Sequence, residues 1–249
     1  MNDGRETQVI DTFLTLTDTL VQDFDALDML TMLAERCVEL LDVSAAGVIL
    51  TDGTGPTGGL SVAAASSERS RLLEVFAVAI DGGPCVDCVR TGMPVISEDL
   101  TTSGAHQRWP QYARGAEDAG FRATHALPMR LRGEIIGVLT LLHIDRHTLG
   151  DPDARLGQAL ADAATIGLLH ERAVRRAETV QEQLQGALNS RVIIEQAKGV
   201  VAATGDVHPD EAFTLLRGHA REHGLRLTDL ARSVVGRTVD LTSILRPGS

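Results

Sequence analysis

The spacing of apolar residues changes twice along the chain, and each change predicts a new kind of structure. Residues 7–22 and 25–42 place leucine, isoleucine and phenylalanine three or four positions apart, which is the period of an amphipathic helix. Residues 45–51 and 60–65 are short apolar runs on either side of a glycine-rich segment, and they predict a β-hairpin. From residue 151 the helical period returns, and no glycine or proline cluster interrupts it before Gly205.

The middle of the chain predicts helices interspersed with strands. The predicted helices cover about 68–80, a short segment opened by Gly82-Gly-Pro-Cys85, and 108–119; the predicted strands cover 94–96, 124–131 and 134–143. The last two strands are joined across Arg132-Gly133, a tight two-residue turn between apolar runs. Strands joined by hairpins, with helices between and around them, indicate an α+β fold with an antiparallel sheet and flanking helices.

The end of the chain predicts a long helical stalk followed by a three-helix bundle. Asp151-Pro152-Asp153 begins the stalk with a capping side chain and a proline in the first turn. A helix of about fifty residues exceeds ordinary globular length, so we expect a two-stranded coiled coil; a single helix folded back on its own domain is the alternative. His208 begins the next helix and Gly224 ends it, and Thr228 is the predicted N-cap of the last helix.

Charge is unevenly distributed between these parts. The formal net charge is −11, but residues 1–188 carry 15 basic and 27 acidic side chains, whereas residues 189–249 carry 8 and 7. An acidic body repels nucleic acid, while the near-neutral end can bind a polyanion if its cations share one face. Lys198 is the single lysine beside twenty-two arginines. We expect it to be kept for its compact, flexible ammonium group, with a plain solvated side chain as the alternative.

The composition also bears on compartment and on cysteine chemistry. The first residues are polar and acidic and no apolar run is long enough to span a bilayer, so we expect a cytoplasmic protein without membrane contact. Cys85 and Cys88 have the spacing of a redox pair at a predicted helix start. A zinc site would need two further ligands, for which His106 and His125 are candidates by type alone, so no metal is predicted. Inert packing of the two thiols is favoured, and redox sensing is the alternative.

Five segments between about 187 and 240 follow one recognisable pattern: Ser190 to Gly199, Pro209 to Phe213, Leu216-Arg217, Ala220-Arg221 and Leu227 to Ala231. In these segments the C-terminal part of the chain resembles an ANTAR domain. ANTAR domains are RNA-binding output modules of bacterial regulators that act in transcription antitermination. Their members are thought to bind paired stem-loops as dimers, one domain per loop. The resemblance therefore implies an RNA stem-loop partner and a homodimer.

The preceding segment contains six short motifs: Gly83-Pro84-Cys85, Arg90-Thr-Gly92, Pro94-Val95, Arg108-Trp109-Pro110, Ala119-Gly120-Phe121 and Leu131 to Gly137. In these motifs it resembles a GAF sensor domain of the actinobacterial kind. GAF domains bind many small molecules, so a small-molecule effector is expected but neither it nor a cofactor is named. The candidate residues of a sensor pocket or redox site are Cys85, Cys88, Trp109 and Tyr112. Trp109 and Tyr112 are included because they lie three apart on one predicted helix. Plain packing is the alternative. The predicted domains are an N-terminal helix (1–25), the sensor (26–170), a coiled-coil linker (171–186) and the ANTAR domain (187–249).

The candidate RNA-binding residues follow from helical spacing within the ANTAR resemblance. They are Arg191, Lys198, Gly199, Arg217, Ala220, Arg221 and Arg232. Arg191 and Lys198 are seven residues apart and share a face, and Arg217 and Arg221 are four apart. Gly199 would let an RNA backbone approach and Ala220 would leave room for a base, although helix packing and a core position explain them equally well. Phe213 is expected in the core.

The sequence therefore predicts a sensory regulator that binds paired stem-loops and causes antitermination when a GAF-domain signal moves the stalk. A DNA-binding regulator is the first alternative, but the last helix offers few base readers: Asp229, Arg232, Ser233 and Arg237. A cysteine redox protein is the second alternative. No catalytic residues are predicted, because no phosphate-binding loop, metal-ligand run or nucleophile elbow is visible.

Overall fold

The computed structural model describes residues 3–18, 25–52 and 59–245. It divides into two units, Met1–Ala173 and Val174–Ser249, which are described separately. Among the residues that the structure describes, no helix combines the length and the apolar character that a membrane span requires.

The first unit is built on an antiparallel sheet. Its described strands are β1 (Ala45–Thr51), β2 (Leu60–Ala65), β3 (Val95–Ser97), β4 (Ala123–Leu131) and β5 (Glu134–His143), in the order β2-β1-β5-β4-β3. Each neighbouring pair is antiparallel. Arg132 and Gly133 both have positive φ, 52° and 88°, which is the backbone that a tight hairpin turn needs. The predicted hairpins and the α+β class are confirmed.

Helices cover both faces of this sheet. One face packs on α1 (Asp3–Asp18), α2 (Ala26–Leu40) and the first part of α7 (Asp151–Gly205), through a core that includes Leu33, Leu139 and Leu160. The other face packs on α3 (Glu68–Ala79), α4 (Pro84–Thr91), α5 (Ser103–Arg108) and α6 (Pro110–Asp118), through a core that includes Ile49, Val138 and Leu142. Alternation along β5 sends Val138 and Leu142 to one core and Leu139 to the other, so both faces are apolar.

Two sequence expectations about helices in this unit are wrong in detail. The predicted helix 108–119 is present as α6 but begins at Pro110; the separate helix α5, which ends at Arg108, was not predicted, and the two meet at Trp109 with φ −133° and ψ 65°. The break follows from Pro110, because proline disfavours helical backbone at the residue before it. The N-terminal helix begins at Asp3 instead of residue 7, and the part of the prediction after Asp18 lies outside the described residues, as does the turn at 53–58.

The second unit contains the end of α7, α8 (Pro209–Glu222), α9 (Leu227–Val235) and the short α10 (Thr242–Leu245), which was not predicted. Its core includes Ala197, Val201, Leu216, Leu230 and Ile244. α7 runs unbroken for 55 residues, so the long helix is confirmed. Gly224 follows α8 with φ 64° and ends it as predicted. The Thr228 cap is wrong: the N-cap is Arg226, two residues earlier, and it makes no side-chain bond.

Candidate functional site

The exposed side of α8 carries a recess between two arginines and an aromatic ring. Its volume is about 380 Å³, and it is lined by Phe213, Thr214, Arg217, Gly218 and Arg221. Phe213, Arg217 and Arg221 are four residues apart, as are Thr214 and Gly218, and residues four apart lie on the same side of a helix. Both arginines are exposed, and neither has an ion-pair partner among the described residues. A side chain at Gly218 would meet nothing within 4 Å, so the floor of the recess is open.

Phe213 belongs to this recess and not to the core, contrary to the sequence expectation. The buried face of α8 is formed by Ala212, Leu216 and Ala220, each four residues from the next. Phe213 is rotated by about 100° from Ala212 around the helix, which brings it to the edge of that face. It is half-buried and is absent from the side chains that pack on the core of the unit. The Phe213 ring therefore lines the surface recess beside Arg217, with Arg221 one turn further along the helix.

The charged candidate residues on α7 differ in whether an acidic side chain pairs with them. Arg191 is exposed and has no ion-pair partner among the described residues. Lys198 keeps 22% of its side chain exposed, and its Nζ lies 2.5 Å from Oε2 of Glu195, one turn earlier. A Cβ on Gly199 would meet nothing within 4 Å, so helix packing within the described chain does not explain that glycine. The surface beside Lys198 is open.

Two further candidates occupy different settings. Ala220 is 4% exposed and packs in the core with Leu216, so it leaves no room for a base. The prediction that it contacts RNA is corrected: Ala220 occupies the core position that the helical spacing also allowed. Arg232 is exposed on α9 and pairs with Asp229 at 3.0 Å. His208 caps α8 with its ring, since Nδ1 accepts the backbone N–H of Asp210 at 3.3 Å. The structure thus groups Arg217 and Arg221 most clearly.

In the first unit, one carboxyl group and three hydroxyl groups meet inside the core between the sheet and helices α3 to α6. We call Glu74, Tyr112, Thr124 and Thr140 the polar cluster; all four are at most 1% exposed. The carboxylate oxygens of Glu74 and the three hydroxyl oxygens have no partner with full hydrogen-bond geometry among the described residues, although Thr140 and Cys85 lie close enough to Glu74, and Thr124 to Tyr112, to offset part of the rise that burial causes in the pKa of each. Burial raises the pKa of Glu74 to about 7, which the neighbouring Thr140 and Cys85 side chains only partly oppose. Buried polar groups are normally bonded, so four such groups together need an explanation.

The two cysteines of α4 lie against this core with little capacity for thiolate chemistry. Cys85 and Cys88 are both fully buried and form no disulfide. Burial raises the pKa of Cys88 to about 12, and burial together with the charge of Glu74 raises the pKa of Cys85 well above its ordinary value. The thiolate is the reactive form of cysteine, so a high pKa suppresses redox exchange. Packing, the interpretation that the sequence favoured, fits these thiols better than redox sensing does.

Trp109 and Tyr112 border a cavity of about 200 Å³, together with Gly83 and Arg108. The indole N–H of Trp109 donates to Oδ2 of Asp87 at 3.0 Å, and the same oxygen accepts from Arg108 at 2.9 Å. The two aromatic residues do not share one helix face as predicted, because Trp109 lies at the break between α5 and α6. They nevertheless line one cavity, whereas Cys85 and Cys88 do not line it.

The described residues contain no group of three or more histidine, cysteine, aspartate or glutamate side chains arranged to hold a metal. The two histidines considered for zinc have other partners. His106 pairs with Glu117 at 2.7 Å, and Nε2 of His125 accepts the backbone N–H of Leu149 at 3.2 Å.

Comparison with family models matches both units. A GAF domain model matches residues 25–168, more than half of the chain, and an ANTAR domain model matches residues 182–235. The chain belongs to the GAF family and carries an ANTAR domain. ANTAR is the domain of RNA-binding antitermination regulators, so this GAF–ANTAR protein is a signal-controlled antitermination regulator built from two regulatory domains.

Solved structures support the GAF fold of the first unit. A GAF domain of a phosphoenolpyruvate-protein phosphotransferase from Coxiella burnetii has a TM-score of 0.53 at 15% identity, over 68% of this chain and 98% of that one. The phycoerythrobilin-bound GAF domain of a cyanobacterial phytochrome has 0.51 at 16%, over 67% and 97%. Free methionine-R-sulfoxide reductase from Neisseria meningitidis, in complex with its substrate, has 0.50 at 17%, over 67% and 91%. Identities this low show the fold alone. A search of the curated proteins found no match.

Sequence reasoning missed the polar cluster of the GAF domain and the Asp87 anchor of Trp109. A signal for the cluster did exist in α3, where Ser70, Glu74 and Ala77 are buried at helical spacing. A serine and a glutamate on the apolar side of an amphipathic helix are unusual, and charged residues are rarely buried without a partner. The threonines of β4 and β5 gave no comparable signal, because threonine is common in any strand.

Proposed function

We propose that this GAF–ANTAR protein binds paired stem-loops in nascent transcripts as a homodimer and thereby causes antitermination in response to a GAF-domain signal. The observation that carries the proposal is the recess of α8, which Phe213 lines together with Arg217 and Arg221, two exposed arginines without ion-pair partners among the described residues. The proposed RNA contacts are Arg191, Lys198, Gly199, Arg217, Arg221 and Arg232, with Phe213 added to them.

The recess has the chemistry that an RNA loop requires. Loops expose unstacked bases and phosphates, and proteins bind them by stacking on aromatic or guanidinium planes and by charge-assisted bonds to phosphate. Phe213 offers a ring face, and Arg217 and Arg221 offer planar forks on either side of an open floor at Gly218. Base stacking on one aromatic residue contributes roughly 1–3 kcal/mol and is tolerant of sequence. The recess therefore suits one extruded base with its flanking phosphates.

The homodimer is supported by apolar side chains that α7 leaves exposed in the second unit. Val180, Leu184, Leu188 and Val192 are each 54–61% exposed, and their spacing of four residues keeps them on one side of the helix. Burying a valine or leucine side chain contributes about 1.5–3 kcal/mol, so pairing of two such stripes is favourable. Within the described part of the second unit, these four side chains belong to no core cluster.

The proposed route of the signal is α7 itself. Its first part is held in the GAF core through Leu160, Ala164 and Leu168, and its last part in the ANTAR core through Ala197 and Val201. A ligand that shifts the first packing also biases the pairing of the helix further along, because the helix is continuous.

The test is RNA binding by the full chain. Fluorescence anisotropy with an RNA that carries two adjacent hairpins should show tight, salt-dependent binding, and duplex DNA of equal length should compete poorly. The double variant Arg217→Gln/Arg221→Gln should bind at least about tenfold more weakly and with a salt slope lower by about 1.5, since each lost phosphate contact removes about 0.7–0.9. Arg155→Gln, an exposed arginine of α7 in the first unit, is the control. Unchanged binding by the double variant, or equal binding of duplex DNA, would contradict the proposal.

A further inference from the structure

The polar cluster lies where five structural elements converge on one face of the GAF sheet. Glu74 comes from α3, Tyr112 from α6, Thr124 from β4 and Thr140 from β5. Thr140 is in register with Gly47 of β1, whose missing side chain leaves room for Glu74: a Cβ there would lie 3.1 Å from Glu74 Cγ. Thr124 pairs with Leu142, two residues from Thr140, so both hydroxyls are on the same face.

This arrangement is rich in acceptors and lacks a positive charge. Glu74 makes no ion pair among the described residues, and the groups that affect it are the Thr140 hydroxyl, the Cys85 thiol and the Tyr112 phenol. An ionised carboxylate in such a setting is strongly disfavoured unless a cation and further hydrogen bonds compensate it. Because the described residues supply no cation here, an ionised Glu74 would need its counter-charge from outside the chain.

We infer that the polar cluster is a binding site for a small organic cation with a primary ammonium group. The ammonium has three N–H donors, which match one carboxylate and two hydroxyl acceptors. A divalent metal is a poorer match, since Glu74 is the single carboxylate of the cluster and Mg²⁺ or Ca²⁺ requires more oxygen ligands. A buried water molecule would bond to the hydroxyls but would leave the carboxylate without a counter-charge.

The route to the cluster is indicated by Tyr112. Its ring borders the cavity of about 200 Å³ beside Trp109, while its hydroxyl lies inside, near Thr124 and Glu74. The ring also packs on Gly83, where a Cβ would come within 2.7 Å of Cδ2, so a larger residue at that position would displace it. Tyr112 is therefore the side chain that separates the cavity from the cluster. The space beside it suits a cation of a few heavy atoms.

This inference rests on the proposed function, because it gives a chemical class to the effector. Its test uses no RNA, so the inference and the proposed function can fail independently. The experiment is isothermal titration of the full-length protein with propylammonium chloride at constant ionic strength, with 1-propanol as the neutral probe of equal length. Propylammonium should bind about tenfold or more tightly than 1-propanol. Glu74→Gln should weaken binding of propylammonium by a similar factor, while Glu68→Gln, the same change at the exposed start of α3, should not.

The pH dependence adds a second readout. Binding requires ionised Glu74, whose pKa of about 7 in the free protein means that affinity should rise about tenfold from pH 6 to pH 8. Cys85 and Tyr112, the titratable groups that face Glu74, have pKa values raised well above their ordinary range and stay neutral in this window. No measurable binding of propylammonium, equal binding of 1-propanol, or full binding by a folded Glu74→Gln protein would overturn the inference.

Discussion

Nε2 of His125 accepts a hydrogen bond from the backbone N–H of Leu149 at 3.2 Å, which joins the sheet to the segment just before α7. The imidazole lies near two others: His143 and His147 stack with ring centroids 3.6 Å apart, and His147 meets His125 edge-on at 6.4 Å. Burial, followed by the charges that His143 and His147 would carry, lowers the pKa of His125 to about 4. A neutral imidazole thus holds the point where the GAF sheet passes into the long helix.

The first prediction is that acid weakens this domain through His125. The unfolded chain binds a proton with the ordinary pKa of 6.5 and the folded protein only near 4, so the free energy of unfolding falls as pH falls through that interval. The loss is up to about 3 kcal/mol for a shift of this size. Urea unfolding followed by the fluorescence of Trp109, the single tryptophan, reports the GAF domain alone. His125→Gln should reduce the pH dependence without abolishing it, because burial also lowers the pKa of His143 to about 4, and His170→Gln, at an exposed position, should leave it unchanged.

The second prediction concerns Glu74, where the sign is opposite. Its pKa rises from 4.5 to about 7 on folding, so the folded state keeps a proton that the unfolded state loses, and stability falls as pH rises through that interval. Glu74→Gln cannot ionise and should be more stable than wild type by about 2–3 kcal/mol at pH 8, with little difference at pH 4. The same fluorescence measurement tests this, with Glu68→Gln as the control. A variant less stable than wild type at pH 8 would argue against a strained carboxylate.

The third prediction separates stacking from apolar contact at Phe213. Phe213→Leu retains an apolar side chain but removes the ring face, so we expect RNA affinity to fall about tenfold while the fold is retained. Leu225→Ala trims another exposed apolar residue of the ANTAR domain and should have little effect. Thermal unfolding by circular dichroism shows whether either variant is destabilised. Equal affinity of Phe213→Leu and wild type would remove Phe213 from the interface.

The fourth prediction uses the ion pair of α7. Because Glu195 holds the ammonium of Lys198 at 2.5 Å, RNA phosphate has to compete with a carboxylate for it. Lys198→Ala should weaken RNA binding several-fold, whereas Glu195→Gln should strengthen it about twofold or more, since a repulsive charge is removed and the cation is freed. Anisotropy titrations at two salt concentrations measure both. Opposite effects of the two variants support a phosphate contact, and parallel losses would indicate a structural role for the pair.

The fifth prediction concerns association through the exposed stripe of α7. Leu184→Glu/Leu188→Glu places charges in the centre of the stripe, so we expect the protein to shift from dimer to monomer in sedimentation experiments. Gln183→Glu introduces the same charge off the stripe and should leave the mass unchanged. All three positions are exposed in the single chain, so neither variant disturbs a core. A wild-type protein that is monomeric at all concentrations would refute the proposed pairing.

Elements that depend on local chemistry could be predicted from the amino-acid sequence. The Arg132-Gly133 turn, the start of α7 at Asp151 and the end of α8 before Gly224 follow from backbone and capping preferences of adjacent residues, and the structure has each of them. Local pattern was also enough to pair Arg217 with Arg221, because residues four apart on a helix always share a side.

Which side chains are buried, and which elements they contact, depends on how the elements pack and cannot be read from local pattern. Helical spacing alone left Phe213 and Ala220 interchangeable, and the packing of α8 on the bundle put Ala220 in the core and Phe213 at the surface recess. The polar cluster depends on the register of β1, β4 and β5 against α3 and α6, which joins residues up to sixty-six positions apart, Glu74 and Thr140. Sequence periodicity reports one element at a time, whereas a buried carboxylate without a cation arises only when several elements converge.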